Sequence, residues 1–299
     1  KVRSYTPSLK EGWYTRMFER IVVIGVGFMG GSFALACKEA FNCKIFGLDI
    51  KKESVDKALE LGVIDEGSLS IEDIRKFNPS LVVIATPVRA FESIALSLKE
   101  LISPQCIVSD LGSVKGKLVY RMEELLGSRF VGGHPIAGTE KAGVENALRD
   151  LFKGKRFIVT PTPNTDPMAK EKIKRLWEGL GSIVEEMDPY LHDFVFGAVS
   201  HLPHAVAFAL METIERLSKE VNLFKYPGGG FKDFTRIAAS DPIMWRDIFL
   251  ENKEELIKAI EVFEEAMKEL KDLILKEDQS QLEAYLSKAS NRRRSIETI

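Results

Sequence analysis

From Arg20 to about Met187, short β-branched and apolar runs alternate with longer stretches of helical period. Residues 21–24, 44–48, 81–85, 106–109, 129–131, 157–160 and 183–186 read as strands. Residues 29–40, 52–61, 91–101, 115–126 and 167–180 read as the helices between them. Continuous apolar strands separated by helices imply a mostly parallel sheet covered on both faces, with right-handed crossovers. After Met187 the strand signal stops. Residues 188–221 read as one long helix kinked at Pro203, followed by a Pro-Gly-Gly-Gly turn at 227–230. Helical patterns then cover 233–239, 242–250 and 253–276. The basic, aperiodic residues 1–18 read as an N-terminal extension, so the expected domains are 1–18, an α/β domain over 19–187, and an all-helical domain over 188–299.

Composition narrows the function classes. Lys+Arg number 42 against 44 Asp+Glu, a net charge of −2, so no global positive field exists to drive nucleic-acid binding. The longest uninterrupted apolar runs are far shorter than a membrane span, no signal-peptide pattern opens the sequence, and no membrane partner is expected. Cys37, Cys43 and Cys106 lack zinc spacing and cannot all pair, which points to a reducing, cytoplasmic setting. The scarcity of Asn (7) and Gln (3) beside many Lys and Glu leans towards a thermophilic source. The Asn-Arg-Arg-Arg run at 291–294 reads as a solvated helix end, its cations near the negative pole of the helix dipole.

Gly25-Val-Gly27-Phe28-Met29-Gly30 follows the first strand and opens the first helix. In that setting the glycines make a dinucleotide-binding turn of the Rossmann type. Gly25 serves the tight turn, Gly27 the approach of a pyrophosphate, and Gly30 close helix–strand packing, while free N–H groups of the helix start face the phosphates. The second strand ends at Asp49, 19 residues beyond Gly30. A carboxylate there binds the ribose hydroxyls of NAD and repels a 2′-phosphate, with Lys51 and Lys52 close enough to soften the choice. Thr86 and Pro87, and the segment from Asp110 to Lys115, end later strands and are expected as walls of the nicotinamide pocket; for Thr86 a plain turn role stands equally open.

Four histidines carry the candidate chemistry. His134, in Gly132-Gly-His134-Pro-Ile-Ala137-Gly-Thr-Glu140, follows a strand, and its flanking glycines suggest an open site. A neutral imidazole there accepts a proton from an alcohol as hydride leaves, and Ser113 on a neighbouring strand is placed to orient it. His201 and His204 lie three apart, but no third ligand accompanies them, so no metal is expected. His204, just past Pro203, is the choice for substrate contact, and His192 beside Asp193 reads as structural. Arg236, on a small apolar stretch after the glycine turn, calls for an anion; a substrate carboxylate or Asp233 three residues earlier are the alternatives.

Together, Gly25–Gly30 with Asp49, Ser109-Asp-Leu-Gly-Ser113-Val-Lys115, Gly133-His-Pro-Ile-Ala-Gly138, Ser200-His-Leu-Pro-His204 and the segment 228–245 resemble the prephenate/arogenate dehydrogenase family over nearly all of 20–280. The resemblance implies a nucleotide-binding domain followed by a helical domain that forms much of a homodimer interface. It implies oxidative decarboxylation of prephenate by NAD to 4-hydroxyphenylpyruvate, in tyrosine biosynthesis, with His134 as acceptor and Ser113 supporting it. Arg236 would hold a substrate carboxylate, while His204 and the backbone near Gly229 reach the side chain. Trp245 would complete the partner's pocket or pack in the core, and Glu140 and Asp233 would serve as gate or pairing residues.

Arogenate as substrate is the nearest rival. A β-hydroxyacid dehydrogenase would carry a lysine on the long helix, and residues 191–210 have none. A non-catalytic NAD sensor would have no use for His134 beside Arg236. No pattern of an amino-acid-sensing domain follows Lys276, so tyrosine is expected to inhibit at the active site: its inhibition should be competitive with substrate, and non-competitive kinetics would contradict this reading.

Overall fold

The computed structural model describes residues 17–296. They fall into two compact units, one ending at Asn252 and one beginning at Lys253. The division by packing thus lies well beyond residue 187, where the strand signal stops. Of the extension read over 1–18, residues 1–16 lie outside the described residues; Phe18 is buried in the core and Met17 packs beside it.

The first unit is built on an eight-stranded sheet of β1 (Arg20–Ile24), β2 (Lys44–Leu48), β3 (Glu66–Ser68), β4 (Leu81–Ile84), β5 (Ile107–Asp110), β6 (Phe130–Pro135), β7 (Arg156–Thr160) and β8 (Ile183–Glu186). The order is β3-β2-β1-β4-β5-β6-β7-β8, and only β6 and β7 pair antiparallel. Each of the seven strands expected from sequence is present. The eighth, β3, is a three-residue Glu-Gly-Ser segment with no apolar signal. Its Gly67 is there for close packing, since a Cβ would sit 2.6 Å from Val55 Cγ1.

Helices α1 (Phe28–Ala40), α2 (Lys52–Glu60), α3 (Ile74–Phe77), α4 (Phe91–Leu101), α5 (Gly116–Leu126) and α6 (Pro167–Gly179) connect the strands. Strand alternation divides the core into two layers. Ile21 and Val23 face a cluster with Phe33 and Trp177, while Val22 and Ile24 face one with Phe91 and Met122. Trp177 anchors the first layer, its ring stacked 3.9 Å from that of Phe157.

The helical part of this unit comprises α7 (Pro189–Phe196), α8 (Leu202–Leu217), α9 (Gly229–Thr235) and α10 (Pro242–Glu251). Helices α6, α7 and α10 share one device: Asp166, Asp188 and Asp241 each accept two backbone N–H groups of the first turn, with proline next. The single kinked helix expected over 188–221 is instead α7 and α8 joined by a π turn at Gly197–His201. Proline at 203 cannot donate, and its ring crowds the carbonyl four residues back, so the ladder widens and Leu202 N–H reaches Gly197 O. The stretch Pro189–Leu217 is, among the described residues, the one helix long and apolar enough to cross a membrane, which a search for uninterrupted apolar runs overlooks. Its side chains His192, Asp193 and His201 are buried. The second unit contains α11 (Lys253–Lys276) and α12 (Gln279–Ile296), with Glu277 in the left-handed region between them (φ 54°).

One buried ion pair ties the layers together. Asp110, at the end of β5, and Lys115, just before α5, are each 1% exposed and bonded to one another. Asp110 also accepts Gly112 N–H at 2.8 Å and Gly133 N–H at 3.1 Å, so β5, the following turn and β6 meet on one carboxylate. These residues lie inside the fold rather than forming the pocket wall expected of them. Removing one partner strands the other charge in the core. Lys115→Ala should therefore cost about 3–5 kcal/mol of unfolding free energy, measured by urea denaturation.

Candidate active site

The turn after β1 is shaped as its glycines require. Gly25 has φ +92°, and a Cβ there would sit 2.7 Å from Ala85 O. A Cβ on Gly30 would collide with Gly25 O, so α1 can lie this close to β1 only with glycine. Gly27 is the opposite case: nothing lies within 4 Å of its Cβ position, which leaves room for a ligand against the backbone. Gly27 caps α1 without any side-chain hydrogen bond, leaving the first N–H groups of α1 for an anion. Phe28 and Met29 offer only their backbone to that end; the Phe28 side chain is buried, and Met29 packs against the core.

Asp49 lies beside this turn. Its Oδ2 accepts Val26 N–H at 2.9 Å and its Oδ1 accepts Lys51 N–H at 2.9 Å. Each oxygen retains a lone pair, so the half-buried carboxylate is held in place and still able to accept from ribose hydroxyls. The Lys52 ammonium donates to Asp56 at 2.5 Å. Thr86 and Pro87 follow β4 at the same strand-end rim, the Thr86 hydroxyl donating to Pro87 O at 3.3 Å. Open backbone at Gly27, free N–H groups and a fixed acid fit NAD.

His134 is the penultimate residue of β6 and is buried, 9% exposed. The glycines before it do not open the site as expected. A Cβ on Gly133 would strike the Phe157 ring, and one on Gly132 would lie 2.5 Å from Thr160 Oγ1. They allow tight packing behind the strand. The partner of the imidazole is also different from the one anticipated. His134 Nδ1 lies 2.8 Å from His192 Nε2, and His192 Nδ1 lies 2.9 Å from Asp193 Oδ1. His192, which α7 carries over the ends of β5 and β6, is thus the side chain in hydrogen-bond contact with the His134 ring. Ser113 is half-buried, and its backbone carbonyl faces His201 Nε2 without closing a well-formed hydrogen bond.

Asp193 is fixed in turn by Lys115 N–H, which donates to its Oδ1 at 2.8 Å. That approach depends on Gly116, where a Cβ would collide with Asp193 Oδ2. Asn252 Nδ2 donates to Asp193 O at 2.9 Å and lies 3.0 Å from His201 Nδ1. Phe196 covers His134 and His192 with ring centroids at 5.1 and 4.6 Å. Burial pushes the pKa of His134 well below 6.5, helped by the charges of His192, Lys115 and His201. Burial likewise lowers His192, with Lys115 and His201 adding to it, and brings His201 to about 4. His134 is accordingly a neutral acceptor.

A second group of residues is wetter. Arg236, in the turn Arg236–Ala239 after α9, donates from Nη1 to Glu140 Oε2 at 2.9 Å, not to Asp233. Both Arg236 and Glu140 are substantially exposed, and Glu140 is held below the usual carboxylate range by its own backbone N–H and by Arg236. His204 donates from Nδ1 to Ser200 O at 2.8 Å, which leaves Nε2 as its acceptor nitrogen. Its ring stacks on Trp245 with centroids 3.5 Å apart. Trp245 is buried among Val114, Ile248, Phe208 and Phe249, so within this chain it is a packing residue beneath His204. Gly229 and Asp233 lie on α9, exposed.

A parallel sheet with a dinucleotide turn, an acidic residue at the second strand end and a neutral histidine at the strand-end rim define an NAD-dependent oxidoreductase. Residues 33–186 match the nucleotide-binding domain of prephenate dehydrogenase, and residues 188–288 match its dimerization domain. The chain belongs to the prephenate dehydrogenase family. It is 38% identical to prephenate dehydrogenase of Bacillus subtilis, over 93% of this chain and 76% of that protein. It is 32% identical to cyclohexadienyl dehydrogenase of Zymomonas mobilis, over 94% and 97%. The crystal structure of prephenate dehydrogenase from A. aeolicus with hydroxyphenyl propionate and NAD+ superposes with a TM-score of 0.90 at 56% identity, covering 93% of this chain and 98% of that one.

The buried histidines also set a pH dependence of stability. Their folded pKa values lie below 6.5, so the unfolded chain takes up protons first as pH falls. Their stabilisation is fully present above about 6.5 and is lost as pH drops towards the folded values. The Tm should hold steady from pH 8 to 7 and begin to fall near 6.5, above the range where carboxylates titrate. Thermal denaturation followed by circular dichroism checks this, and an unchanged Tm between pH 7 and 5 would contradict it.

Proposed function

We propose that this chain catalyses the NAD-dependent oxidative decarboxylation of prephenate to 4-hydroxyphenylpyruvate and CO₂. The observation that carries the reading is His134: a neutral, buried imidazole whose Nδ1 is engaged by His192, leaving Nε2 to meet a substrate hydroxyl. NAD, when bound, accepts the hydride from the ring carbon that bears that hydroxyl. His134 takes the hydroxyl's hydrogen bond as the C–O bond gains carbonyl character. The pair of the breaking C–CO₂ bond enters the ring, and aromatisation drives the step, with no call for a metal. The buried surroundings of His134 keep water from competing for the same nitrogen.

Arg236 would bind a substrate carboxylate, which then replaces Glu140 on the guanidinium, so that the acid acts as the gate. His204 Nε2, with backbone near Gly229, would contact the side chain, and Trp245 holds the His204 ring flat. Ser113, half-buried after β5, would lie at the substrate site, and Asp233 on α9 would serve with Glu140 as a gate or pairing residue. The region 188–299, which includes the family's dimerization domain, would pair two copies, and the apolar face of Pro189–Leu217 suits that role. The unpaired cysteines accord with a cytoplasmic enzyme, and tyrosine would compete as an active-site inhibitor. Arogenate is the second reading, favoured by the similarity to a cyclohexadienyl dehydrogenase over nearly its whole length.

The test is NADH or NADPH formation by absorbance with prephenate and with arogenate, each with NAD and NADP. Turnover with prephenate and NAD is expected. His134→Asn should lower kcat by about 10²-fold or more with little change in KM. Arg236→Gln should mainly raise KM. Near-wild-type turnover in His134→Asn would remove the assignment, and turnover with arogenate alone would change the substrate.

A further inference from the structure

We infer that Asp193 and His192 are positioning residues that set the tautomer of His134. This rests on the proposed role of His134 and adds a cause for it. A carboxylate offers no proton, so the 2.9 Å contact between Asp193 Oδ1 and His192 Nδ1 is an N–H donation from the ring. His192 is 0% exposed and, with its pKa depressed by burial, carries one ring proton. That proton is on Nδ1, so Nε2 is bare. A bare His192 Nε2 at 2.8 Å from His134 Nδ1 accepts, and His134 must donate. His134, also neutral, then has its proton on Nδ1 and a lone pair on Nε2, the state that accepts from a hydroxyl.

The other charged and titratable groups around His134 are consistent with this order. Lys115 and Asp110 are bonded to each other, and the Lys115 backbone N–H donates to the same Asp193 Oδ1, which keeps that oxygen turned towards His192. His201 is engaged at Nδ1 by Asn252. Because Asp193 Oδ1 accepts from both Lys115 N–H and His192, the position needs an acceptor oxygen there. An asparagine whose amide oxygen takes that place would serve, whereas a shorter or apolar side chain would not.

Only four histidines are present, so ¹⁵N-imidazole NMR of the whole protein resolves each ring. The expected wild-type result is a protonated Nδ1 and a bare Nε2 on His134, a readout that needs no substrate and stands apart from any assay. His192→Leu, which fills the space without an acceptor, should lower kcat about 10- to 100-fold, the population change expected when a buried N–H loses its partner. NAD affinity by calorimetry should be unchanged. His192→Gln, whose amide oxygen can take the place of Nε2, should recover most of the loss, which filling of space alone would not produce. A wild-type His134 protonated at Nε2, or a His192→Leu variant with kcat within about twofold of wild type, would overturn the inference. If His192→Leu does not fold, the wild-type tautomer decides alone. If prephenate and arogenate both fail as substrates, the tautomer still stands or falls by the same spectrum.

Discussion

Lys115 is held from two directions, and the active-site region is organised around it. Its ammonium group neutralises Asp110 inside the sheet, and its backbone N–H holds the carboxylate of Asp193 on α7. A buried pair of this kind adds little net stability over apolar packing, because desolvation offsets most of the attraction. What it contributes is position. Burial pushes Asp110 up and Lys115 down in pKa, each opposed by the other's charge, and the geometry that keeps both satisfied is narrow. With Gly112 and Gly133 donating to the same Asp110 side chain, the ends of β5 and β6 and the start of α7 have one arrangement that leaves no charge unmatched.

Much of this was readable before any coordinates. Strand–helix alternation located every long strand, and Gly25 and Gly30 have the turn and packing roles their spacing implied. The helix starts expected at 167, 188 and 242 fall within one residue of those of α6, α7 and α10. Other features had no local signal. β3 is too short and polar to show a period, and Phe18 looked like part of an aperiodic tail although it fills the core. The glycines before His134 were read as openness because a sequence does not show what packs behind a strand. His192 was dismissed because its partner is 58 residues away and brought there by tertiary folding. An adjacent His-Asp pair on a predicted helix was the available clue, since one residue then orients the other.

The candidate site divides by solvent. The His134–His192–Asp193 chain is buried, so its hydrogen bonds are strong and its tautomers are set by neighbours rather than by solvent. Arg236 and Glu140 lie in water, where an ion pair is weak and exchangeable. That difference suits the two tasks proposed for these groups. Proton acceptance needs a fixed lone pair, whereas capture of a carboxylate needs a cation whose resident partner leaves easily.

The π turn at Gly197–His201 carries a consequence for chain length. One extra residue in a helical turn shifts the phase of everything after it by about 100°. His192 and Asp193 precede the turn and His201 closes it, yet Asn252 reaches both Asp193 and His201 from one side. A regular helix through 197–201 would rotate His201 and His204 away from that side while leaving every residue type unchanged. The spacing between His192 and His201 is thus itself part of how the region packs, and a single-residue deletion there would be worse tolerated than most substitutions in the same segment.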